Sequence, residues 1–233
     1  MLALDFNGPL AAVVFQKSDS LYTALQEEPR DGSELFMIDQ LLRLQGKTKL
    51  SELEVIFVNR GPGSFIATRT ALAFANTIKI LYEKISLLGL NLLEILAFDF
   101  YLHEYQEDKE VKIAVAIPLH REKAAIQSFH FLEGGQYLSL HDPEVIEPQN
   151  YEALNRVLNS DKVGKNLLLG EYWKEIKKWP NSIPDKRKIV ISSSRLESLP
   201  LERAKILLEI GKKILNLNNF SSFIEPLYLV SPV

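Results

Sequence analysis

A glycine-containing loop is the first candidate for chemistry in this chain of 233 residues. It runs from Arg60 to Phe65, with the sequence Arg-Gly-Pro-Gly-Ser-Phe, between a short apolar segment and a long helical one. Its glycines let a ligand approach the backbone, and the free N–H groups of the following helix could hold an anion. The same residues suit a structural turn, in which Pro62 fixes the bend and Ser64 caps the helix. The loop lacks the third glycine of a dinucleotide-binding loop and the Lys-Ser/Thr pair of a Walker loop, so both interpretations stay open.

A carboxylate at the end of the first predicted strand, Asp5, is the second candidate. In open α/β sheets, ligands gather beyond the carboxyl ends of the strands, which would place Asp5 in a binding site. Alternatively, the side chain accepts a hydrogen bond from the backbone of Asn7 or Gly8 in an Asx-turn. Aspartate is common in both settings, so the sequence alone does not separate these two roles.

Metal-binding side chains do not occur at metal-binding spacings. The chain has no cysteine, and its histidines are His103, His120, His130 and His141. No two of them lie four residues apart, so the chain has no helical His-xxx-His pair. We therefore predict neither a metal site nor another cofactor.

The charge balance argues against a protein that binds nucleic acid by itself. The net charge is −3 and the pI about 5.9, whereas such proteins usually carry a basic surplus. A small basic and aromatic cluster predicts either contact with RNA or a surface helix that buries its tryptophans. The cluster consists of Trp173, Lys174, Lys177, Lys178 and Trp179. Any contact with RNA is expected to be local or shared with a partner.

Apolar runs and turn residues predict a similar order of elements in both halves of the chain. The first half comprises strands Leu2–Phe6, Leu10–Gln16 and Leu21–Leu25, helix Ser33–Gln45, strand Glu54–Val58, helix Ser64–Lys84, strand Ile85–Leu88 and a helix opened by a capping box at Asn91–Glu94. The second comprises strands Lys112–Ile117, Ala124–Leu132 and Tyr137–Leu140, helix Tyr151–Leu158, strands Asn166–Leu169 and Lys188–Ile191, and helix Leu201–Leu217. The first three strands of the first half are expected to form an antiparallel meander, because short turns join them.

This repetition predicts an α/β fold with two similar lobes. We place the N-terminal lobe at residues 1–106 and the C-terminal lobe at residues 107–233, with the last helix and tail packing back on the N-terminal lobe. The most apolar stretch, Ile85–Leu102, contains Glu94 and Asp99 and therefore predicts core and not a membrane span. Because the sequence also lacks a signal-peptide pattern, we expect a cytoplasmic protein without membrane association.

Motifs spread over nearly the whole chain match one family. The first strand ends in Asp5, Gly61–Arg69 reads Gly-Pro-Gly-Ser-Phe-Ile-Ala-Thr-Arg, and Glu225–Val230 reads Glu-Pro-Leu-Tyr-Leu-Val. Leu88–Glu94 resembles a fourth family segment. With these motifs the chain resembles the bacterial tRNA threonylcarbamoyladenosine biosynthesis proteins TsaB (YeaZ), a glycoprotease-like family. The resemblance implies an actin-like ATPase fold (ASKHA, ribonuclease H-like), with two similar lobes of mixed sheet flanked by helices.

The chain departs from the family pattern at several positions, and each departure removes polar groups. The changed positions are Phe6 and Asn7 in place of Thr-Ser, Ile66 and Ala67 in place of Thr-Gly, Pro118 in place of Asp, and Val230 in place of Arg. The resemblance therefore implies at most a vestigial anion site. Its residues would be Asp5, Gly61, Pro62, Gly63 and Ser64.

The resemblance also implies a function. Family members pair, mostly through the N-terminal lobe, with a catalytic subunit of similar fold, TsaD, and an ATPase, TsaE, joins them. TsaD transfers a threonylcarbamoyl group to the adenosine beside the tRNA anticodon. We accordingly expect a non-catalytic subunit that meets tRNA through the complex, with a homodimer as a second use of the same surface. The alternative is an enzyme of the same fold, either an ATP-using phosphotransferase or a glycoprotease-type peptidase.

The helices predicted at Ser33–Gln45 and Ser64–Lys84 form the candidate partner surface. The second is apolar on more than one face, which is typical of a helix central in its own lobe or of one that also packs on a partner. Given the resemblance, we expect both helices to pack against two equivalent helices of the catalytic subunit. The expected partner-binding residues are Leu35, Ile38, Leu42, Phe65, Arg69, Ala71, Leu72, Ala75 and Ile78.

Overall fold

A computed structural model of the chain describes most of its residues. The described residues are 1–7, 10–27, 33–45, 47–105, 110–119, 123–133, 136–147, 149–150, 152, 166–170, 189–190, 199–214, 221 and 223–227. The chain divides into two compact units. The first comprises Met1–Ile95, Leu196–Tyr228 and Pro232–Val233, and the second comprises Leu96–Arg195 and Leu229–Ser231.

The first unit is built on a five-stranded mixed sheet. Its strands are β1 (Leu2–Asp5), β2 (Leu10–Lys17), β3 (Ser20–Glu27), β4 (Val55–Asn59) and β5 (Ser86–Leu90). The predicted antiparallel meander of β1, β2 and β3 is confirmed, and β4 and β5 extend the sheet parallel to β1. The resulting order is β3-β2-β1-β4-β5, in which Leu4 of the central strand lies between Val13 and Val58.

Helices cover both faces of this sheet. They are α1 (Ser33–Gln40), which continues as a π-helical turn (Leu41–Gln45), α2 (Phe65–Leu81), and α4 (Pro200–Ile214) near the end of the chain. Because side chains alternate along a strand, Leu2 and Leu4 enter the core shared with α1 and α2, while Asp5 points to the opposite face, where α4 packs. All of β1 is buried, which explains its uniformly apolar character up to its last residue.

The capping box predicted at Asn91 is confirmed at the start of α3 (Leu92–Asp99). The side-chain oxygen of Asn91 accepts a hydrogen bond from the Glu94 N–H at 2.9 Å, and Glu94 Oε2 accepts one from the Asn91 N–H at 2.7 Å. These reciprocal bonds satisfy two donors that the helix itself leaves free. The chain passes from the first unit to the second within α3, which continues as a π-helical turn (Phe100–Glu104).

The second unit repeats the same sheet arrangement. Its strands are β6 (Val111–Pro118), β7 (Ala124–Phe131), β8 (Tyr137–Ser139), β9 (Glu144–Ile146), β10 (Asn166–Leu169) and β11 (Ile189–Val190). β6, β7 and β8 form an antiparallel meander, and β10 and β11 extend the sheet parallel to β6. Two α/β units with this strand order confirm the predicted fold class, the actin-like arrangement of two mixed sheets flanked by helices.

Some predictions for the second half differ from the structure or lie beyond it. Strand β9 has three residues and pairs with β7, and its brevity left no period in the sequence to detect. Apart from Glu152, the helix predicted at Tyr151–Leu158 lies outside the described residues, as do Trp173–Trp179, His120 and Val230. In the part of the chain that the structure describes, no helix has the length and apolar character needed to cross a bilayer.

Candidate functional site

Asp5 lies at the carboxyl end of β1 and is held by an arginine from the far end of the sequence. Arg203, in the first turns of α4, donates from Nε to Asp5 Oδ2 at 2.7 Å and from Nη2 to Asp5 Oδ1 at 3.1 Å. Asp5 is 0% exposed and Arg203 is 1% exposed, so this two-point ion pair is enclosed by protein. Fork-to-fork pairing of this kind is the strongest geometry available to a carboxylate and a guanidinium.

Two further donors complete the environment of the Asp5 carboxylate. The Asn7 N–H donates to Oδ1 at 3.0 Å, and the Asn59 side-chain amide donates to Oδ2 at 3.0 Å. The first of these bonds is the Asx-turn that the sequence left as one of two interpretations. Each carboxylate oxygen therefore accepts one bond from Arg203 and one from an asparagine. Asp5 thus acts in the structure as a buried anchor.

The Arg60–Phe65 loop joins the same polar network. Asn59 Oδ1 accepts a hydrogen bond from the Gly61 N–H at 3.1 Å, and the Asn7 side-chain amide donates to the Asn59 carbonyl at 3.3 Å. Asn7 Oδ1 also accepts a hydrogen bond from the Thr68 hydroxyl of α2. The structure therefore brings Asp5 and the loop together through Asn7 and Asn59.

Gly63 is needed because Asn7 occupies the space beside it. A Cβ atom at Gly63 would lie 2.3 Å from Asn7 Oδ1 and 2.8 Å from Asn7 Cβ. Pro62 is buried, whereas Ser64 is exposed at the N-terminus of α2. The predicted side-chain cap from Ser64 is wrong: its hydroxyl makes no capping bond, and its carbonyl accepts the first helical bond from the Thr68 N–H at 2.9 Å.

Three residues of the predicted vestigial anion site, Asp5, Gly61 and Gly63, lie in one network with other side chains of the chain. Asn7, Asn59 and Arg203 bond to the Asp5 carboxylate, Asn59 also accepts the Gly61 N–H, and Asn7 lies against Gly63. Arg203 also donates to the Asn7 carbonyl. Neither Arg203 nor Asn59 was predicted from the sequence, although both contact the Asp5 carboxylate directly.

Most of the predicted partner-binding residues face the core of their own unit. The six that are buried, at most 4% exposed, are Ile38, Leu42, Ala71, Leu72, Ala75 and Ile78. This corrects the predicted set, because a side chain enclosed by its own fold has no surface to offer a partner. Leu35, Phe65 and Arg69 remain at the surface, where the Arg69 guanidinium lies 5.0 Å from the centre of the Phe65 ring.

The outward side of α2 nevertheless carries exposed apolar and small side chains beside Arg69. Large side chains stand at its two ends, with Ile66 77% exposed and Ile80 72% exposed. Between them, Ala73 and Thr77 are small and exposed. These four residues lie close to one line along the helix at spacings of seven, four and three, and we call them the exposed α2 face. Exposed apolar side chains on the neighbouring helical segment are Leu35, Phe36 and Leu44.

The described histidines lie beside local polar groups. His103 Nδ1 lies 3.0 Å from Asp99 Oδ1, His130 Nε2 lies 3.4 Å from Glu110 Oε2, and His141 Nε2 accepts the Ser128 N–H at 3.1 Å. Among the residues that the structure describes, no group of three or more His, Asp or Glu side chains is close enough to bind one metal ion.

Comparison with known proteins identifies the fold. No family model matches the chain, and neither does any curated protein. A Pseudomonas aeruginosa protein with similarity to peptidase YeaZ superposes with a TM-score of 0.71 at 21% identity, over 98% of both chains. YeaZ from Pseudomonas aeruginosa superposes with a TM-score of 0.69 at 20% identity, again over 98% of both chains. The chain therefore has the same fold as these two structures.

Proposed function

We propose that this chain is a non-catalytic partner subunit of a complex that forms threonylcarbamoyladenosine in tRNA. It pairs with a TsaD-type catalytic subunit and a TsaE-type ATPase, and meets tRNA through that complex. The fold shared with the YeaZ structures supports this proposal, together with the motifs at Asp5, Gly61–Arg69 and Glu225–Val230. The observation that carries it is the contrast between a fully paired Asp5 and an unpaired apolar helix face.

The state of Asp5 supports a non-catalytic role. A carboxylate that binds a ligand or moves a proton needs a free lone pair directed at that ligand. In this chain both Asp5 oxygens already accept bonds from buried donors. Releasing Asp5 would break two charge-assisted hydrogen bonds to the buried Arg203, which costs several kcal/mol.

The exposed α2 face supports the pairing role. Small residues at Ala73 and Thr77 let a partner helix approach closely, and Ile66 and Ile80 provide apolar area at the two ends. Leu35, Phe36 and Leu44 are further exposed apolar side chains on the α1 segment, which shares the buried core with α2. The proposed occupant is the equivalent pair of helices of the catalytic subunit. A second copy of this chain is the competing occupant of the same surface.

Reconstitution with a TsaD-type subunit, a TsaE-type ATPase and tRNA tests the proposal. We expect the chain to co-elute with the catalytic subunit and to stimulate threonylcarbamoylation. Thr77→Arg places a charge in the proposed contact and is expected to weaken pairing about 100-fold. Thr23→Arg is the matched control, because Thr23 is exposed on β3, away from α2. If the unsubstituted chain neither co-elutes with the catalytic subunit nor stimulates threonylcarbamoylation, the proposal is wrong.

ATP hydrolysis provides the test of the enzymatic alternative. The proposal predicts no hydrolysis by the chain alone. Hydrolysis that is lost in Asp5→Asn would favour a phosphotransferase or related activity and contradict the non-catalytic role.

A further inference from the structure

The segment near the end of the chain, residues 221 and 223–227, closes the β5 edge of the first sheet. The Ser221 N–H donates to the Leu87 carbonyl at 3.0 Å in an antiparallel bridge. Further along, the Leu227 N–H donates to the Arg60 carbonyl at 2.9 Å. We call this segment the strap, because it joins the edge strand to the loop that precedes α2.

A buried asparagine of α2 holds the middle of the strap. The Asn76 side-chain amide donates to the Ile224 carbonyl at 2.8 Å, and Asn76 Oδ1 accepts the Ile224 N–H at 2.9 Å. One side chain thereby pairs with both backbone polar groups of Ile224, as a neighbouring strand would. Asn76 is 7% exposed, so without these bonds its amide would be buried with its hydrogen-bonding groups unsatisfied.

The Ile224 side chain of the strap is packed in the core of the first unit. Ile224 is 4% exposed and belongs to the same core cluster as Ala71 and Ile78 of α2. It packs over Gly89 of β5, where a Cβ atom would lie 2.5 Å from Ile224 Cγ2. A glycine in the edge strand thus admits the isoleucine of the strap.

We propose that Asn76 is a positioning residue that couples the strap to α2 and so keeps the exposed α2 face in its binding geometry. α2 contacts β1, β4 and β5 on its buried side, and the strap adds contacts through Asn76 and through Ile224. Undocking the strap removes these contacts and exposes the β5 edge. Only the final step, the effect on partner binding, rests on the proposed function.

Hydrogen exchange in the full-length chain tests the coupling. In Asn76→Ala, the amides of Ser221, Ile224 and Leu227 are expected to exchange about tenfold faster or more, because two buried hydrogen bonds are lost. The amides of α2 are expected to exchange faster as well. Thr77→Ala is the matched control, since it alters the neighbouring exposed position and is expected to leave all these rates unchanged.

A compensating pair separates strap docking from general damage. Gly89→Ala introduces a methyl group against Ile224 and is expected to speed exchange of the strap amides. Ile224→Ala alone also speeds exchange, because buried apolar contacts are lost, but in the double variant it removes the clashing methyl group, so the two effects together are expected to be smaller than the product of the separate effects. Exchange in the double variant that equals the product of the two single effects would overturn the docking geometry.

Affinity for the TsaD-type subunit completes the test. Asn76→Ala is expected to weaken binding about 3- to 30-fold, the usual range for coupling through a displaced element. Strap release without any change in α2 exchange would overturn the coupling, as would release with unchanged affinity. If the unsubstituted chain binds no TsaD-type subunit, the proposed function fails while the exchange rates still decide whether the strap and α2 are coupled.

Discussion

Two regions of the first unit lie at opposite extremes of polarity and exposure. Around Asp5, a carboxylate, a guanidinium and two asparagines are buried and bonded to one another. On the exposed α2 face, Ile66 and Ile80 stand in solvent, with small side chains between them. The polar groups around Asp5 are thus buried, and the apolar side chains on the exposed α2 face are in contact with solvent.

This contrast teaches that reactive residue types do not by themselves mark the working surface of a protein. The hydrogen bonds of the Asp5 network join β1, β4, the Arg60–Phe65 loop and α4. An exposed apolar strip, by comparison, favours binding to a partner, because binding removes apolar surface from water.

The largest effect is expected from a charge placed on the inward side of α2. Ala71 is fully buried, so Ala71→Arg would enclose an unpaired guanidinium and displace core side chains. We expect the free energy of unfolding to fall by more than about 4 kcal/mol, to the point where folded protein is scarce. Circular dichroism and urea titration measure this effect. A stable, soluble Ala71→Arg variant would show that this side of α2 is not core.

The next effect concerns the buried ion pair. Asp5→Ala leaves Arg203 charged and without its carboxylate, and is expected to lower the free energy of unfolding by about 3–5 kcal/mol. Replacing both partners, in Asp5→Ala with Arg203→Met, is expected to restore most of that loss, because the guanidinium is removed together with the carboxylate. Urea unfolding of the two single variants and the double variant forms the cycle. Additive losses in the cycle would mean that the pair does not couple the two elements.

A smaller loss is expected at the contact between the loop and Asn7. Gly63→Ala forces a methyl group against an Asn7 side chain that is already bonded to Asn59 and Thr68. The strain is expected to cost about 1–3 kcal/mol in the free energy of unfolding. Ser64→Ala, one residue away, is the control and is expected to be nearly neutral because its hydroxyl makes no cap bond. Equal losses in the two variants would argue against this packing.

The smallest effect on stability is expected two residues from the first substitution. Ala73→Arg adds the same side chain as Ala71→Arg, but on the exposed α2 face. We expect the free energy of unfolding to change by no more than about 0.5 kcal/mol. The same variant is expected to lose pairing with the catalytic subunit in a co-elution assay. Retained pairing would remove the exposed α2 face from the proposed contact.

Much of the fold could be predicted from periodicity and turn residues. The meander of the first half, α2 and the capping box at Asn91 all carry local signals, and the structure confirms them. The inward side of α2 could not be predicted. Ala67, Ala71 and Ala75 face the core, while the larger Ile66 and Ile80 face solvent. Small residues let the helix lie close to the sheet, and a sequence that is apolar all round does not reveal this.

The pairing of Asp5 was hidden for a different reason. Arg203 lies almost two hundred residues from Asp5, and their contact depends on α4 crossing the first sheet. One local signal was present: Arg203 shares a helical stripe with Leu207 and Ile210, both buried. A charged residue on a buried apolar stripe needs a buried partner of opposite charge. Only the fold shows which carboxylate is that partner.

Threonylcarbamoylation of tRNA in the reconstituted mixture tests the central contrast most directly, with the Asp5→Ala/Arg203→Met double variant set against Thr77→Arg. We expect the double variant to stimulate the reaction as the unsubstituted chain does, because Asp5 serves structure alone. We expect Thr77→Arg to remain folded but not to stimulate the reaction. A folded double variant without stimulation, together with full stimulation by Thr77→Arg, would contradict both the structural role of Asp5 and the partner contact at the exposed α2 face.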